Sequence, residues 1–123
     1  MSNVNIFRRA EEYARFFEPG EVIFKEGDEG KEMFAVIEGE VDIVHMEKVL
    51  FSIGPGGIFG EMALIDNSPR SATARARSRC KLVPVDEKRF TYMVQETPFF
   101  ALQVMRDMAN RLRRLGDRAA GGV

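Results

Sequence analysis

Residues 18–60 read EPGEVIFKEGDEGKEMFAVIEGEVDIVHMEKVLFSIGPGGIFG, and glycines there separate short runs of β-branched and aromatic residues. This spacing predicts tight turns between short antiparallel strands. At Val41–His45 the apolar residues 41 and 43 alternate with Asp42, as in a strand with one face on a core. A small β-sandwich or barrel is therefore predicted. Its first strands are expected at Val22–Phe24, Met33–Ile37, Val41–His45 and Val49–Ile53.

More strands and two helices are predicted after residue 60. Short apolar runs indicate strands at Ala72–Ala76 and Leu82–Val85. Asp86 is a candidate helix cap, and the helix after it carries apolar residues at 3.6-residue spacing until Pro98 ends it. Those apolar residues are Phe90, Met93 and Val94.

The last predicted helix runs from about Phe99 to Leu115 and carries an apolar stripe with heptad spacing. Such a stripe packs either on its own domain or on a second copy of the chain, as a homodimer through this helix, and the spacing alone leaves both open. Residues 116–123 are small and rich in glycine and alanine, so a flexible tail is expected there. The stripe consists of Ala101, Met105, Met108, Leu112 and Leu115.

Length and composition are typical of one globular domain. The chain has 123 residues, of which 45% are hydrophobic, with 18 Lys plus Arg against 19 Asp plus Glu. We expect a single domain over 1–123, with a core at about 18–115 and a short helical N-terminus at 3–16. A net charge of −1 gives no overall field to attract nucleic acid, so no nucleic-acid partner is expected.

The sequence also limits location and chemistry. No apolar run approaches the roughly 20 residues of a membrane span, and the N-terminus lacks the apolar core of a signal peptide, so a cytoplasmic protein is expected. Cys80 is the only cysteine and His45 the only histidine in the sequence, so a multi-histidine metal cluster cannot form. His45 has no nucleophile elbow nearby. We therefore expect no enzyme activity, no metal and no cofactor.

Residues 59–73, FGEMALIDNSPRSAT, combine a glycine, an acid, small residues and one arginine. A short helical turn starting near Glu61 would aim free N–H groups at an anion, with Gly60 and Ala63 allowing close approach of the backbone. Arg70 has a fork of donors suited to phosphate oxygens, and Glu61 can accept from sugar hydroxyls. The residue types fit a ribose phosphate, but they also fit a structural Glu61–Arg70 ion pair that closes a loop.

The same stretch resembles the phosphate-binding cassette of cyclic nucleotide-binding domains. Upstream, the residues 19–24 (PGEVIF) and 26–28 (EGD), with Gly30, Phe34, Val36 and Gly39, are similar to the first strands of that family, so the likeness covers about 18–115. It implies an eight-stranded antiparallel jelly-roll β-barrel with flanking helices and a C-terminal lid helix. The cassette matches are Phe59, Gly60, Glu61, Ala63, Leu64, Pro69, Arg70, Ala72 and Thr73.

The resemblance also implies roles for individual residues. Glu61 would bind the ribose 2′-hydroxyl and Arg70 the cyclic phosphate. Ser71 could reach either a phosphate oxygen or a guanine amino group, which leaves cyclic AMP and cyclic GMP both open. Arg111 and Arg114 on the lid are candidates to stack on the purine, although both could be solvated surface arginines. Backbone groups of Gly60, Met62, Ala63 and Ala72 would complete the cradle.

The function predicted from these features is reversible binding of cyclic AMP or cyclic GMP, coupled to movement of the last helix. The signal would pass to a protein partner. One alternative is an interaction domain that no longer binds nucleotide. Another is a regulatory domain excised from a channel, a kinase or a transcription regulator.

Overall fold

A computed structural model describes the backbone of residues 11–121 and the side chains of residues 11–113. Within these residues, eight strands form two four-stranded antiparallel sheets with the orders β1-β8-β3-β6 and β2-β7-β4-β5. The fold is the predicted jelly-roll with flanking helices. The strands are β1 (Arg15–Phe17), β2 (Val22–Phe24), β3 (Glu32–Glu38), β4 (Val41–His45), β5 (Lys48–Ile53), β6 (Ile58–Phe59), β7 (Thr73–Ala76) and β8 (Cys80–Asp86).

Alternation along β3 explains how one sheet serves two cores. Phe34 and Val36 face the second sheet, where they pack with Val41 and Ile43 of β4. Their neighbours Met33 and Ala35 point to the opposite face and pack against the helices. The central part of β3 is a continuous apolar run, as expected for a strand whose two faces are both buried.

Three helices accompany the sheets: α1 (Met62–Ile65), α2 (Glu87–Glu96) and α3 (Phe99–Gly121). The predicted cap of α2 is confirmed, because the Asp86 side chain accepts a hydrogen bond from the Arg89 backbone N–H at 2.8 Å. The predicted end of the last helix near Leu115 is wrong, since α3 continues to Gly121. Alanine is a strong helix former, and one internal glycine costs only about 1 kcal/mol. Residues 122–123 lie outside the described part.

The predicted helical N-terminus is only partly matched. Residues 11–13 form one turn of 3₁₀-helix, whereas residues 15–17 form β1, which pairs with β8 through Arg15↔Leu82 and Phe17↔Cys80. β1 and β6 have only three and two residues, too short to show strand periodicity in the sequence. Residues 3–10 of the predicted helical N-terminus lie outside the described residues.

The helix α3 docks on the barrel through a face that shares only part of the predicted stripe. Phe100 and Val104 are buried, with Met108 packed beside them, whereas Met105 is 57% exposed and Leu112 is 68% exposed. These two residues are not buried against the barrel, so docking on the domain accounts for only part of the predicted stripe, and packing on a second copy of the chain stays a prediction. The side chain of Leu115 lies outside the described set. No helix among the described residues has the length and hydrophobicity needed to cross a membrane.

Two turn glycines offer a stability test of this fold. Gly39, between β3 and β4, has φ +86°, and a Cβ there would overlap the Arg79 carbonyl oxygen, while Gly20 has φ +89° and open space around it. We expect Gly20→Ala to cost about 1–2 kcal/mol of unfolding free energy, from left-handed backbone strain alone. Gly39→Ala should cost about 1–3 kcal/mol more, because overpacking adds to the strain.

Urea unfolding of the two variants and the parent chain measures the difference. Equal losses at Gly39 and Gly20 would contradict the close packing of the β3–β4 turn against residues 79 and 80.

Candidate binding site

The site begins at the turn between β6 and α1. Gly60 has φ +77°, a conformation that disfavours other residues, and a Cβ there would lie 2.9 Å from Arg70 Nη1. Glu61 then caps the single turn of α1, where the N–H groups of Ala63 and Leu64 donate to the carbonyl oxygens of Gly60 and Glu61. Backbone strain and crowding by the arginine both favour glycine at position 60.

Arg70 lies inside the protein, only 7% exposed. Its Nη1 donates to the carbonyl oxygen of Gly60 at 2.9 Å and its Nη2 to that of Glu32 at 2.8 Å. The guanidinium carbon lies 4.0 Å from the centre of the Phe24 ring. A Cβ at residue 30 would overlap the guanidinium, so Gly30 provides the space for it. Two carbonyls, one ring and two glycines therefore fix this side chain.

The backbone on either side of Arg70 is anchored as well. Its N–H donates to the carbonyl oxygen of Asp28 at 2.8 Å, and its own carbonyl accepts from Gly27 N–H at 2.7 Å. These two bonds tie the cassette to the turn between β2 and β3. The arginine is positioned by secondary structure as well as by its side-chain contacts.

The Nε donor of this guanidinium is unpaired within the described part of the structure. Arg70 Nε is buried and makes no hydrogen bond to any described residue. Burial lowers the pKa of Arg70, while the negative charges of Glu32, Asp28 and Glu61 raise it. Because a guanidinium stays protonated, the site keeps a buried positive charge with a free donor. An oxyanion that reached this donor would balance the buried charge and accept a hydrogen bond from Nε.

The ion-pair partner of Glu61 is Arg111, and not Arg70 as in the structural alternative. Its carboxylate is buried, with the residue 4% exposed, and its Oε1 lies 2.5 Å from Arg111 Nη1 on α3. Arg111 also donates to the carbonyl oxygen of Ile58. The alternative of a structural Glu61–Arg70 ion pair is therefore wrong, since no such pair occurs among the described residues. The alternative that Arg111 is a solvated arginine is wrong too, because its side chain is only 17% exposed.

All seven residues predicted from the cassette line one cavity of about 100 Å³, and Arg111 lines it as well. The predicted second lid residue, Arg114, has its side chain outside the described part of the chain. The seven are Gly60, Glu61, Met62, Ala63, Arg70, Ser71 and Ala72.

An adjoining cavity of about 360 Å³ lies between the barrel and α3. It shares Glu61, Ser71 and Arg111 with the smaller cavity, but most of its wall is apolar. At its edge His45 Nδ1 lies 2.8 Å from Glu26 Oε1. Its apolar wall comes from Ile43, Leu50, Phe51, Met108 and Leu112.

Sequence reasoning missed three further residues around the site. Phe24 stacks on Arg70, and Phe51 lines both cavities. Asp107 is half-buried beside Arg111, where burial raises its pKa, the charge of Arg111 lowers it and that of Glu61 raises it. The i, i+4 spacing of Asp107 and Arg111 was a usable signal, whereas no local pattern places Phe51. Among the described residues, no group of three or more His, Cys, Asp or Glu side chains could hold a metal ion.

Comparisons with known proteins agree on one family. The family model described as "Cyclic nucleotide-binding domain" matches residues 14–97. A CRP-like cAMP-activated global transcriptional regulator of Mycobacterium tuberculosis is 29% identical over 109 residues, which cover 85% of this chain and 49% of the regulator. The cyclic nucleotide-gated potassium channel mll3241 of Mesorhizobium japonicum is 37% identical over 107 residues, which cover 87% of this chain and 29% of the channel.

A solved structure described as "cAMP bound PfPKA-R (141-441)" superimposes with a TM-score of 0.75 and 30% sequence identity, over 95% of this chain and 44% of that one. The chain thus spans half or less of each of these proteins. The match to the family model covers more than half of the sequence and includes the whole cassette. The chain belongs to the cyclic nucleotide-binding domain family.

Proposed function

We propose that this chain binds cyclic AMP or cyclic GMP, with Arg70 on the cyclic phosphate and Glu61 on the ribose 2′-hydroxyl. The observation that carries the proposal is the buried Arg70 guanidinium, whose Nε has no described partner, in the same cavity as the Glu61 carboxylate. Gly60, Met62, Ala63 and Ala72 line that cavity, and their backbone groups would complete the cradle. The names of the regulator and the channel mention cAMP and a cyclic nucleotide, and the solved structure above is described as cAMP bound.

The charges around Arg70 favour a monoanion. Arg70 stacks on Phe24 and has Asp28, Glu32 and Glu61 as negative neighbours, while the other guanidinium that lines the cavity, Arg111, is already paired with Glu61. A cyclic phosphodiester carries one negative charge, which one guanidinium balances. A linear 5′-phosphate carries up to two charges, and the second would face those carboxylates without a partner. We therefore expect the site to prefer the cyclic form.

The ligand would extend into both cavities. A volume of about 100 Å³ falls below the ~300–1,000 Å³ of typical ligand sites, so it would hold the ribose phosphate only. The apolar cavity of about 360 Å³ would take the base. Since Met108 and Leu112 of α3 form part of that wall, a bound base would change the surroundings of this helix. Ligand binding could then move α3, to the extent that the ligand prefers one of its positions.

For output we propose a second copy of the chain as the protein partner. The outer face of α3 exposes Leu102, Met105 and Leu112, which with Ala109 repeat at intervals of 3, 4 and 3 residues. A heptad stripe is complementary to its own copy in a symmetric dimer. Leu112 also borders the base cavity, so this interface would lie beside the ligand.

The phosphate role of Arg70 is tested by calorimetric titration with cyclic AMP, cyclic GMP and 5′-AMP. We expect Arg70→Ala to weaken cyclic nucleotide binding by roughly 30-fold to several thousand-fold, because it removes the counter-charge of a buried anion. Glu61→Ala should cost less, since it removes hydrogen bonds to a neutral sugar. The linear nucleotide should bind about 10-fold more weakly or worse.

Arg75→Ala is the matched control, because this arginine lies on β7 with an exposed side chain. A loss below about 5-fold for Arg70→Ala, or the same loss for both arginines, would show that the phosphate is held elsewhere.

The dimer is tested by sedimentation velocity at several protein concentrations. We expect Met105→Asp to shift the chain from dimer to monomer, because it places a charge in an apolar seam. Lys88→Asp, at an exposed position on α2, should leave the dimer intact. A parent chain that sediments as a monomer at all concentrations would contradict this interface.

A further inference from the structure

Arg111 stands where three cavities meet. Besides the cavities of about 100 and 360 Å³, it lines a third of about 290 Å³ between α3 and the β5–β6 loop. Phe51 is the other side chain common to all three, and the Arg111 guanidinium carbon lies 5.6 Å from its ring centre. The guanidinium therefore separates the space expected for the ribose phosphate from the spaces around it.

We propose that Arg111 is a gate that competes with the ligand for Glu61, and that Asp107 accepts the guanidinium once the ligand has displaced it. This inference rests on the proposed function. It gives Arg111 a role opposite to that of a lid residue stacked on the base, because a lid would add affinity and a competitor subtracts it.

The competition follows from the contacts of Glu61. A carboxylate–guanidinium bond of 2.5 Å is charge-assisted and stronger than a bond from a neutral ribose hydroxyl. The same guanidinium is held by the carbonyl oxygen of Ile58. Because Arg111 lines both cavities, a nucleotide that spans them has to move this guanidinium away from Glu61. Part of its binding free energy is therefore spent on moving Arg111, and the observed affinity is lower by that amount.

Asp107 is placed to receive the displaced side chain. It lies four residues before Arg111 on α3, the spacing at which side chains meet on one helix face, and both line the third cavity. The loop residues of that cavity (Phe51, Ser52, Ile53, Gly54, Pro55, Gly57 and Ile58) carry no ionisable side chain. Among the described residues, the charged groups that act on Asp107 are therefore Arg111 and Glu61.

This exchange would couple ligand binding to a proton. Burial raises the pKa of Asp107, and a guanidinium that turns toward it would lower that pKa. At pH values near that raised pKa, where part of Asp107 is protonated, the ligand would then bind with release of a proton from Asp107. Because protonated Asp107 favours the arrangement in which Arg111 holds Glu61, affinity should fall as the pH falls through the raised pKa of Asp107.

The test is cyclic AMP titration of the 123-residue chain, its Arg111→Met variant and its Arg113→Met variant, with stopped-flow association rates. Arg111→Met keeps an apolar side chain but removes the competitor, so we expect tighter binding by about 5-fold or more, mainly through faster association. Arg113 is an exposed arginine on the same helix that donates to Asn110, and its variant should bind like the parent chain. Weaker binding by Arg111→Met with faster dissociation, or unchanged binding, would overturn the gate.

Asp107→Asn keeps Arg111 in place and provides a second readout. We expect this variant to bind cyclic AMP more weakly. We also expect the parent chain to release a proton on binding and the variant to release none, as measured by calorimetry in buffers of different ionisation enthalpy. Proton release that persists in Asp107→Asn would overturn the role of Asp107. If neither the parent nor Arg111→Met binds a cyclic nucleotide, the proposed function fails and the gate with it. Binding by Arg111→Met alone would support both.

Discussion

The rest of the site depends on the burial of one guanidinium. Arg70 joins three segments that are distant in sequence, because it bonds to the carbonyl of Glu32 at the start of β3, bonds to that of Gly60 after β6, and stacks on Phe24 of β2. Glycine at positions 30 and 60 makes room for it. The cost of burying this charge is offset by the carbonyl oxygens and by neighbouring carboxylates, while Nε stays without a partner among the described residues. The jelly-roll thus holds a buried guanidinium at a fixed position, which we propose as the anion site.

A second arginine gives the site its connection to the rest of the molecule. Arg70 belongs to the barrel and is held by backbone groups, whereas Arg111 belongs to α3 and is held by Glu61 and the carbonyl of Ile58. We expect the contacts of Arg70 to remain when the ligand binds. The pair that Arg111 makes with Glu61 involves a group to which our proposal assigns the ribose. In our account the barrel therefore recognises the phosphate, and the exchange at Glu61 transmits the event to α3.

The sequence predicted much of this arrangement, for reasons that can be traced to particular residues. Alternation and turn glycines located six of the eight described strands, but β1 and β6 are too short to show a period. The family likeness of the cassette placed seven residues that line one cavity. The pairing of Glu61 with Arg111 could not be predicted, because the two residues are 50 positions apart and no local pattern relates them. The docking face of α3 was only partly predicted, because two apolar faces of this helix fit helical periodicity, and only packing decides which of them, the one with Phe100 and Val104, meets the barrel.

The central claim is that Arg70 Nε is the donor that receives the ligand, and NMR of the arginine Nε–H groups in the uniformly labelled chain tests it most directly. Arg70 is identified by the resonance that is missing in Arg70→Lys. On addition of cyclic AMP we expect its Nε–H signal to move downfield and to exchange more slowly with water, since it gains a charge-assisted hydrogen bond to the phosphate. 5′-AMP at the same concentration should shift it much less. An Arg70 Nε–H signal that stays in place while cyclic AMP saturates the protein would contradict the account.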